Sequence, residues 1–252
     1  MLQTRIIPCL QLIDESLVKA VQFRKYGYIG DPCNTVRIFN ELEVDELCFL
    51  DIRASLENRT PNYKILQYIA DECFMPLSYG GGISTFEQAQ KIFSIGFEKI
   101  ILNTQAYYNP GLVTEIATHF GSQAVVVSID VKYHNGQHSI YVKDGTVKVK
   151  DNIIQYVQKM QQAGAGELLI TSMDREGTWT GFDEQLIKQI TSIVDIPVIA
   201  HGGAGCIEDI GRVIKECNAS AVALGSLLVY QKKGMGVLVN FPDKTKLNKL
   251  LQ

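Results

Sequence analysis

The two halves of this sequence repeat one another. The segment Tyr79–Ile83 reads Tyr-Gly-Gly-Gly-Ile, and His201–Gly205 reads His-Gly-Gly-Ala-Gly about 120 residues later. Phe-Leu-Asp-Ile around Asp51 returns at a similar offset as Thr-Ser-Met-Asp, which ends at Asp174. A repeat at this spacing predicts that the chain folds as two similar half-domains.

Two further pairs of segments keep the same offset. Leu102–Thr104 corresponds to Leu224–Ser226, and the apolar run that ends at Asp130 corresponds to the one that ends at Gln11. Four correspondences in register argue against chance. Two units of four βα pairs close naturally into a (βα)8 barrel.

Short apolar runs alternate with amphipathic ones along the chain. Runs rich in Val, Ile and Leu are typical of parallel strands covered on both faces, and they predict strands at Arg5–Leu10, Glu46–Asp51, Leu77–Tyr79, Lys99–Leu102, Ala124–Asp130, Glu167–Thr171, Pro197–Ala200 and Ala221–Leu224. Helices are predicted at Asn34–Leu42, Asn62–Glu72, Thr85–Ser94, Gly111–His119, Asn152–Ala163, Asp183–Ser192 and Ile207–Glu216, with a weaker one at the tail. This α/β pattern predicts a single TIM-barrel domain over residues 1–252, because such barrels run to roughly 250 residues. A doubly wound open sheet is the alternative.

Composition narrows the function classes. A net charge of -3 argues against binding to nucleic acid. The six cysteines form no CxxC pair and the four histidines no HxH or HExxH spacing, so the sequence predicts no metal site and no other cofactor. The opening residues lack a signal-peptide pattern, and no apolar run reaches the roughly 18 residues of a membrane span. We therefore expect a cytoplasmic protein without membrane contact.

Glycines and hydroxyl residues follow four of the predicted strands, at the end where a parallel barrel binds its ligands. They are Gly81, Gly82, Asn103 and Thr104 in the first half, and Gly202, Gly203, Gly225 and Ser226 in the second. Exposed backbone N–H groups and hydroxyls both hydrogen-bond to anions. Tight turns would explain one glycine pair, but the duplicated set predicts two phosphate sites and a ligand with a phosphate at each end.

Aspartates end three of the apolar strands, namely Asp51, Asp130 and Asp174. A buried carboxylate is costly unless it is solvated, paired or used in chemistry. Asp130 is the favoured candidate for a chemical role, with an ion pair to Lys132 as the alternative. Two interpretations are open for Asp51 and Asp174, which could either orient a ligand hydroxyl or brace a loop. Asp174 also precedes Arg175, with which it could form an ion pair.

Two connecting segments carry more functional groups than a connection needs. The polar, glycine-punctuated loop that starts at Thr171 favours ligand binding. The segment Leu12–Asp31 follows the first strand and holds Lys19, and a loop of this length is usually a lid or disordered. Its positive charge suits a phosphorylated ligand.

Charged residues open four of the strands at the opposite end of the barrel: Arg5, Glu46, Lys99 and Glu167. Solvation at a strand start explains each of them separately. Two positive and two negative charges could also close a ring across the barrel bottom, which would act as a gate.

Seven segments of the chain carry a family resemblance: Arg5–Leu10, Phe49–Ile52, Gly80–Ile83, Asn103–Thr104, Phe120–Val127, Asp174–Thr178 and Gly202–Gly205. Together they resemble the cyclase subunit of imidazole glycerol phosphate synthase. The resemblance covers nearly the whole chain and is weakest after Leu228.

The resemblance implies a heterodimer with a glutaminase subunit, whose ammonia passes through the barrel to its mouth. There it would attack a bis-phosphorylated ribulosyl aminoimidazole, giving imidazole glycerol phosphate for histidine biosynthesis and an aminoimidazole carboxamide ribotide. By position, one phosphate falls on Gly82, Asn103 and Thr104, and the other on Gly177, Gly203 and Ser226. Asp130 would be a catalytic acid/base, and the ammonia gate would be Arg5, Glu46, Lys99 and Glu167.

The position of the family's other catalytic aspartate is occupied here by Gln11. An amide cannot take and return a proton near neutral pH. Glu176 also stands where the family usually has aspartate.

Two interpretations follow from this departure. The chain is the cyclase, with Gln11 tolerated or with Asp14 acting from the following loop. Alternatively, it is a paralogue that, with a glutaminase, delivers ammonia for acetamidino-sugar synthesis in bacterial surface polysaccharide pathways. A barrel that acts purely as a conduit is also open. The related isomerase barrel of histidine synthesis needs no ammonia gate and fits less well.

Overall fold

The computed structural model describes residues 4–251, which form a closed barrel with extensions at its mouth. Its strands are β1 (Arg5–Ile13), β2 (Ser16–Ala20), β3 (Tyr26–Gly30), β4 (Leu47–Asp51), β5 (Leu77–Gly80), β6 (Lys99–Leu102), β7 (Val125–His134), β8 (Gln137–Val142), β9 (Val147–Lys148), β10 (Glu167–Ser172), β11 (Val198–His201) and β12 (Ala221–Leu224). Eight of them, β1, β4, β5, β6, β7, β10, β11 and β12, are parallel and pair in that order, and β12 pairs with β1. The predicted TIM barrel is confirmed, and the open-sheet alternative is wrong.

Seven helices lie between barrel strands where the sequence predicted them, with ends that differ by at most two residues, and one lies at the tail, as expected. Two short helices, directly after β6 and β12, were not predicted. The described chain thus has ten helices. They are α1 (Pro32–Glu41), α2 (Tyr63–Glu72), α3 (Phe86–Ile95), α4 (Thr104–Tyr108), α5 (Pro110–Phe120), α6 (Ile153–Gln162), α7 (Glu184–Thr191), α8 (Ile207–Cys217), α9 (Ser226–Val229) and α10 (Lys244–Leu251). The side chains of Asn62, Thr85 and Asp183 accept hydrogen bonds from the first turns of α2, α3 and α7. Such caps satisfy N–H groups that have no partner within the helix and so fix where each helix begins.

Side chains alternate between two cores along each barrel strand. In β1, Ile6, Leu10 and Leu12 belong to the large core between strands and helices. Ile7 and Cys9 belong instead to a small apolar cluster inside the barrel, together with Cys48, Ile101, Val126, Leu169, Ile199, Ala221 and Ala223. The barrel axis is therefore lined by apolar side chains in its middle layers.

Antiparallel strands extend the sheet beyond the mouth on two sides. β2 pairs with the end of β1 and β3 pairs with β2, while β8 pairs with the end of β7 and β9 with β8. Residues 12–31, for which the sequence suggested either a lid or disorder, are mostly an ordered β-meander. The second extension turns at Asn135-Gly136, both at positive φ, which is a strong two-residue hairpin signal that the sequence analysis passed over.

No helix between residues 4 and 251 combines the length and the apolar character needed to cross a lipid bilayer.

Candidate active site

A cavity of about 790 Å³ lies at the mouth of the barrel. Its wall includes eight of the residues singled out from the sequence: Gln11, Asp51, Gly81, Gly82, Asn103, Thr104, Asp130 and Thr171. A neighbouring cavity of about 930 Å³ shares Gly82 and Thr104 with it. The first-half residues predicted to bind a phosphate thus border two adjoining spaces.

Gly82 presents its backbone at the border of these two cavities. Its φ is +69°, and a Cβ at this position would lie 2.5 Å from the backbone oxygen of Arg59. A side chain would be strained and would clash, so the close turn requires glycine. The hydroxyl of Thr104, on the same border, accepts a hydrogen bond from the Lys143 N–H at 3.1 Å and donates its own proton to Asn103 Oδ1 at 3.4 Å.

Asp130 is the buried carboxyl of the mouth. Asn103 Nδ2 donates to Asp130 Oδ2 at 3.1 Å. Burial raises the pKa of Asp130 from 3.8 to about 7, and the charge of Asp144 raises it further against the hydrogen bonds from Thr171 and Asn103. No ion pair joins Asp130 to Lys132 within the described chain. A carboxyl that titrates near neutral pH is suited to acid/base work.

Gln11, at the mirror position, is held at both ends of its amide. Gln11 Oε1 accepts from the Ala20 N–H at 2.7 Å, and Nε2 donates to Glu176 Oε1 at 3.2 Å. The side chain is 5% exposed. These contacts join β1 to the meander and to the loop after β10, so Gln11 serves as a structural bridge.

The second-half residues line a separate cavity of about 210 Å³. It is bordered by Gly177, Gly202, Gly203, Gly225 and Ser226, as predicted, and also by Glu176. Lys19 makes an ion pair with Glu176, and both side chains are 3% exposed. Burial lowers the pKa of Lys19 to about 8. The lysine expected to meet a phosphorylated ligand is therefore neutralised by a carboxylate of the protein itself.

Four charges meet at the opposite end of the barrel. Arg5 Nη1 lies 2.7 Å from Glu46 Oε2, and Arg5 Nη2 lies 3.0 Å from Glu167 Oε1. Lys99 Nζ lies 3.0 Å from Glu46 Oε2 and 3.2 Å from Glu167 Oε1. The side chains form a closed ring in which each cation contacts both anions, rather than four separately solvated charges.

A cavity of about 240 Å³ lies inside the barrel next to this ring. Glu46 borders it on the ring side, and Ile101 borders both this cavity and the mouth cavity. Ile7, Cys48, Val126, Leu169 and Ile199 make the rest of its wall largely apolar.

Three of the carboxylates considered from the sequence are either engaged by the protein itself or lie outside the mouth cavity. Asp51 accepts from the backbone of Arg53 and Ala54 and pairs with Arg59 at 3.1 Å, so it braces its loop. Asp174 Oδ2 accepts from the Tyr133 N–H at 2.7 Å and lines a different cavity on the outer side. Asp14 has a side chain that is 77% exposed and does not line the mouth cavity.

Several residues of the mouth were not found from the sequence. Asp144 and Phe23 line the mouth cavity from the two antiparallel extensions. His201 ends β11 and borders the same cavity, with Nδ1 3.1 Å from Thr171 Oγ1. The one signal for Asp144 was the Asn135-Gly136 hairpin, which brings the following strand back over the mouth.

Comparison with known proteins agrees with this architecture. Residues 5–234 match the family model described as histidine biosynthesis protein. A Pseudomonas aeruginosa protein provisionally named imidazole glycerol phosphate synthase subunit hisF2 is 49% identical over 249 residues, covering 98% of this chain and 99% of that protein. A Leptospira borgpetersenii protein, provisionally named as the HisF subunit, is 44% identical over 97% of each chain. The Chlorobaculum tepidum protein named imidazole glycerol phosphate synthase subunit HisF is 41% identical over 92% of each chain.

Proposed function

The chain belongs to the histidine biosynthesis protein family, and from this premise we propose that it is the barrel subunit of a glutamine amidotransferase complex. A glutaminase partner supplies ammonia at the charged end of the barrel, in a heterodimer. The ammonia passes along the apolar interior to the mouth, where a phosphorylated ligand is bound. Relatives named as HisF subunits of a synthase support an assembly of more than one chain.

The closed ring of Arg5, Glu46, Lys99 and Glu167 is the observation that carries this proposal. Buried ion pairs are costly to build and are no general source of stability. A barrel that catalyses at its mouth alone has no need of them at the other end. The adjoining cavity is largely apolar and has room for about one water-sized molecule, so it suits a small neutral molecule such as ammonia and disfavours an ion.

A phosphorylated ligand could place its phosphates in two separate spaces of the mouth. Gly82 and Thr104 offer backbone and hydroxyl donors at the first. Gly203 and Ser226 offer the same chemistry at the second, which is smaller and borders the carboxylate of Glu176. The site thus fits one phosphate at the first-half cavity with little change, and a second only if the ligand competes for Lys19.

Two reactions are candidates for the mouth. The first is the cyclase reaction, in which ammonia and the bis-phosphorylated ribulosyl aminoimidazole give imidazole glycerol phosphate and AICAR in histidine biosynthesis. Asp130 is its acid/base group, and its pKa near 7 supports that role.

In the second candidate function, the chain is a paralogue of the cyclase subunit. It delivers ammonia to an enzyme of acetamidino-sugar synthesis in a bacterial surface polysaccharide pathway. One observation favours it. The Gln11 amide is fixed by Ala20 and Glu176, so the position of the family's second catalytic carboxylate has become structural.

A turnover assay separates the two candidates. The purified chain is supplied with ammonium salt and the bis-phosphorylated substrate, and imidazole glycerol phosphate is measured by mass spectrometry. Turnover within about tenfold of an ordinary cyclase would exclude the paralogue's task. No turnover in the native chain, with turnover in Gln11→Asp, would exclude the simple cyclase, because one acid/base group is typically worth about 10²–10⁴ in rate. Gln11→Asn is the matched control, since it has the size of aspartate but no carboxyl that can take and return a proton.

The ammonia route is tested with the glutaminase added. Lys99→Met opens the ring and leaves the mouth unchanged. We expect it to alter product formation driven by glutamine while product formation driven by ammonium salt stays the same. Equal effects on both would contradict a role of the ring in passing ammonia.

A further inference from the structure

The mouth cavity has a second carboxylate besides Asp130 that points to acid/base chemistry. Asp144 lies on the turn between β8 and β9, in the extension that folds back over the barrel, and it lines the same cavity as Asp130. Asp14, the substitute suggested by the sequence, is exposed and outside this wall. Asp51, the remaining carboxylate of the wall, is already occupied by Arg59 and its own loop.

The backbone around Asp144 is held in an uncommon conformation. Lys143, Asp144 and Gly145 have φ values of 52°, 54° and 68°, so three successive residues are left-handed. The Lys143 N–H donates to Thr104 Oγ1 at 3.1 Å, and a Cβ on Gly145 would collide with Met173. Such strain persists only where the surroundings fix it, and it clusters at functional sites.

A tyrosine of the other extension orients the carboxylate of Asp144. Tyr26 Oη donates to Asp144 Oδ2 at 2.9 Å, and the Arg53 guanidinium lies over the Tyr26 ring, 5.3 Å from its centroid. The other charged group near Asp144 is Glu57. On the opposite side, Asp130 faces Asn103, Thr171 and Tyr156 as well as Asp144. Both carboxyls line the same cavity, and neither makes a salt bridge among the described residues, although the charge of Arg53 lowers the pKa of Asp144.

We propose that Asp130 and Asp144 form the acid/base pair of the mouth, with Asp144 supplying the proton-transfer group that Gln11 cannot. The inference rests on the proposed function, since it needs a ligand in the mouth cavity. As the ammonia nitrogen bonds to a ligand carbonyl carbon, the Asp144 carboxylate takes a proton from that nitrogen. The Asp130 carboxyl gives its proton to the ligand oxygen, which becomes a hydroxyl, and a proton then returns from Asp144 to Asp130. In a second round Asp130 protonates this hydroxyl, which leaves as water as the C=N bond forms, and Asp144 takes another proton from the nitrogen.

The titration of the two groups agrees with this division. Burial raises the pKa of Asp144 from 3.8 to about 6 and that of Asp130 to about 7. Between these values Asp144 is ionised and Asp130 is protonated, which is the state that the reaction requires. Because the two groups interact, the measured values belong to the pair.

The first test needs no turnover. Carboxyl carbon NMR on the free protein follows Asp130 through a pH titration in the native chain and in Asp144→Asn. Asparagine tolerates the left-handed backbone, so this variant keeps the turn. We expect the Asp130 midpoint to move to lower pH once the neighbouring charge is gone. An unmoved midpoint would overturn the pair.

The second test is the pH dependence of the ammonium-driven reaction. The native rate is expected to be bell-shaped, with limbs near pH 6 and pH 7, and Asp144→Asn to lose the acidic limb and at least about 10² in rate. Asp144→Glu restores part of the rate, and Asp14→Asn, the matched control outside the cavity, keeps the native profile. An Asp144→Asn enzyme with the native profile and rate would overturn the inference. If the native chain makes no product, the cyclase candidate fails, and the pair is then decided by the NMR titration alone.

Discussion

The two half-barrels end their mirror strands in different ways. Asp130, at the end of the fifth barrel strand, has one amide donor at 3.1 Å and titrates near neutral pH. Gln11, at the end of the first, is bonded at both ends and cannot titrate. The cavities differ likewise, since the first-half spaces are open and the second-half cavity borders the Lys19–Glu176 pair. The scaffold is the same in both halves, but the second half has the titrating carboxyl and the first half has the open cavities.

The largest effect is expected at Asp130. Asp130→Asn removes the titrating group with little change in volume, so we expect a loss of about 10²–10⁴ in ammonium-driven rate. The unfolding midpoint should stay close to that of the native chain. A rate within threefold of native, measured in the same product assay, would place the chemistry elsewhere.

Lys19 is predicted to matter more for stability than for ligand binding. Lys19→Met leaves the buried Glu176 carboxylate without its cation, and removing one partner of a buried pair costs about 3–5 kcal/mol in the free energy of unfolding. Urea denaturation measures the loss. The double variant Lys19→Met with Glu176→Gln should recover most of it.

The exposed pair of Lys244 and Glu43 provides the control for this prediction. Lys244→Met should change the free energy of unfolding by about 1 kcal/mol or less, because surface ion pairs contribute little. If the two lysine variants lost equal stability, the second cavity would not be held by its internal ion pair.

The pH dependence of the free energy of unfolding should also show that Asp130 titrates while Gln11, at the mirror position, does not. Asp130 keeps its proton in the folded state up to about pH 7, whereas in the unfolded chain it loses it near pH 4. Its ionisation therefore favours unfolding, and the free energy of unfolding falls between about pH 4 and pH 7 by up to about 4 kcal/mol from this group. Urea denaturation across that range should show a shallower fall in Asp130→Asn. Parallel curves for the variant and the native chain would mean that the pKa of Asp130 is not raised.

The smallest expected effect compares the two phosphate cavities. Thr104→Val removes a hydroxyl donor from the open first cavity, and a hydrogen bond to a charged group is worth about 1.5–3 kcal/mol. We expect binding of inorganic phosphate, measured by calorimetry, to weaken about tenfold or more, while Ser226→Ala changes it less than threefold. Thr104→Ser keeps the hydroxyl and serves as control. The reverse order would show that an anion displaces Glu176 from Lys19.

The barrel was predictable because its signals are local. Each strand is a short apolar run, and the repeat fixes how many there are without reference to packing. The ring of Arg5, Glu46, Lys99 and Glu167 was also visible as charges at strand starts, although only the fold joins them at 2.7–3.2 Å.

The remaining features depend on contacts between distant segments. Nothing near Gln11 in the sequence indicates that its amide bridges Ala20 and Glu176. The Asn135-Gly136 hairpin signal returns the chain to the mouth but does not indicate that Asp144 shares a cavity with Asp130. Lys19 was predicted to meet a ligand because its charge was visible and its partner, 157 residues away, was not. Such contacts arise only when the fold brings distant segments together at the barrel mouth, so no local sequence motif predicts them.

The extensions at the mouth have a consequence for how copies of the chain meet. A closed barrel leaves no strand with unpaired backbone, but β3 and β9 each pair on one side only within the described sheet. β9 has two residues, one of them Lys148, and is too short to template another strand. β3 has five residues and carries Tyr28, which is 68% exposed. Aggregation by strand addition would therefore begin at Tyr26–Gly30, so a lysine at position 28 is the substitution that should most improve solubility at high concentration.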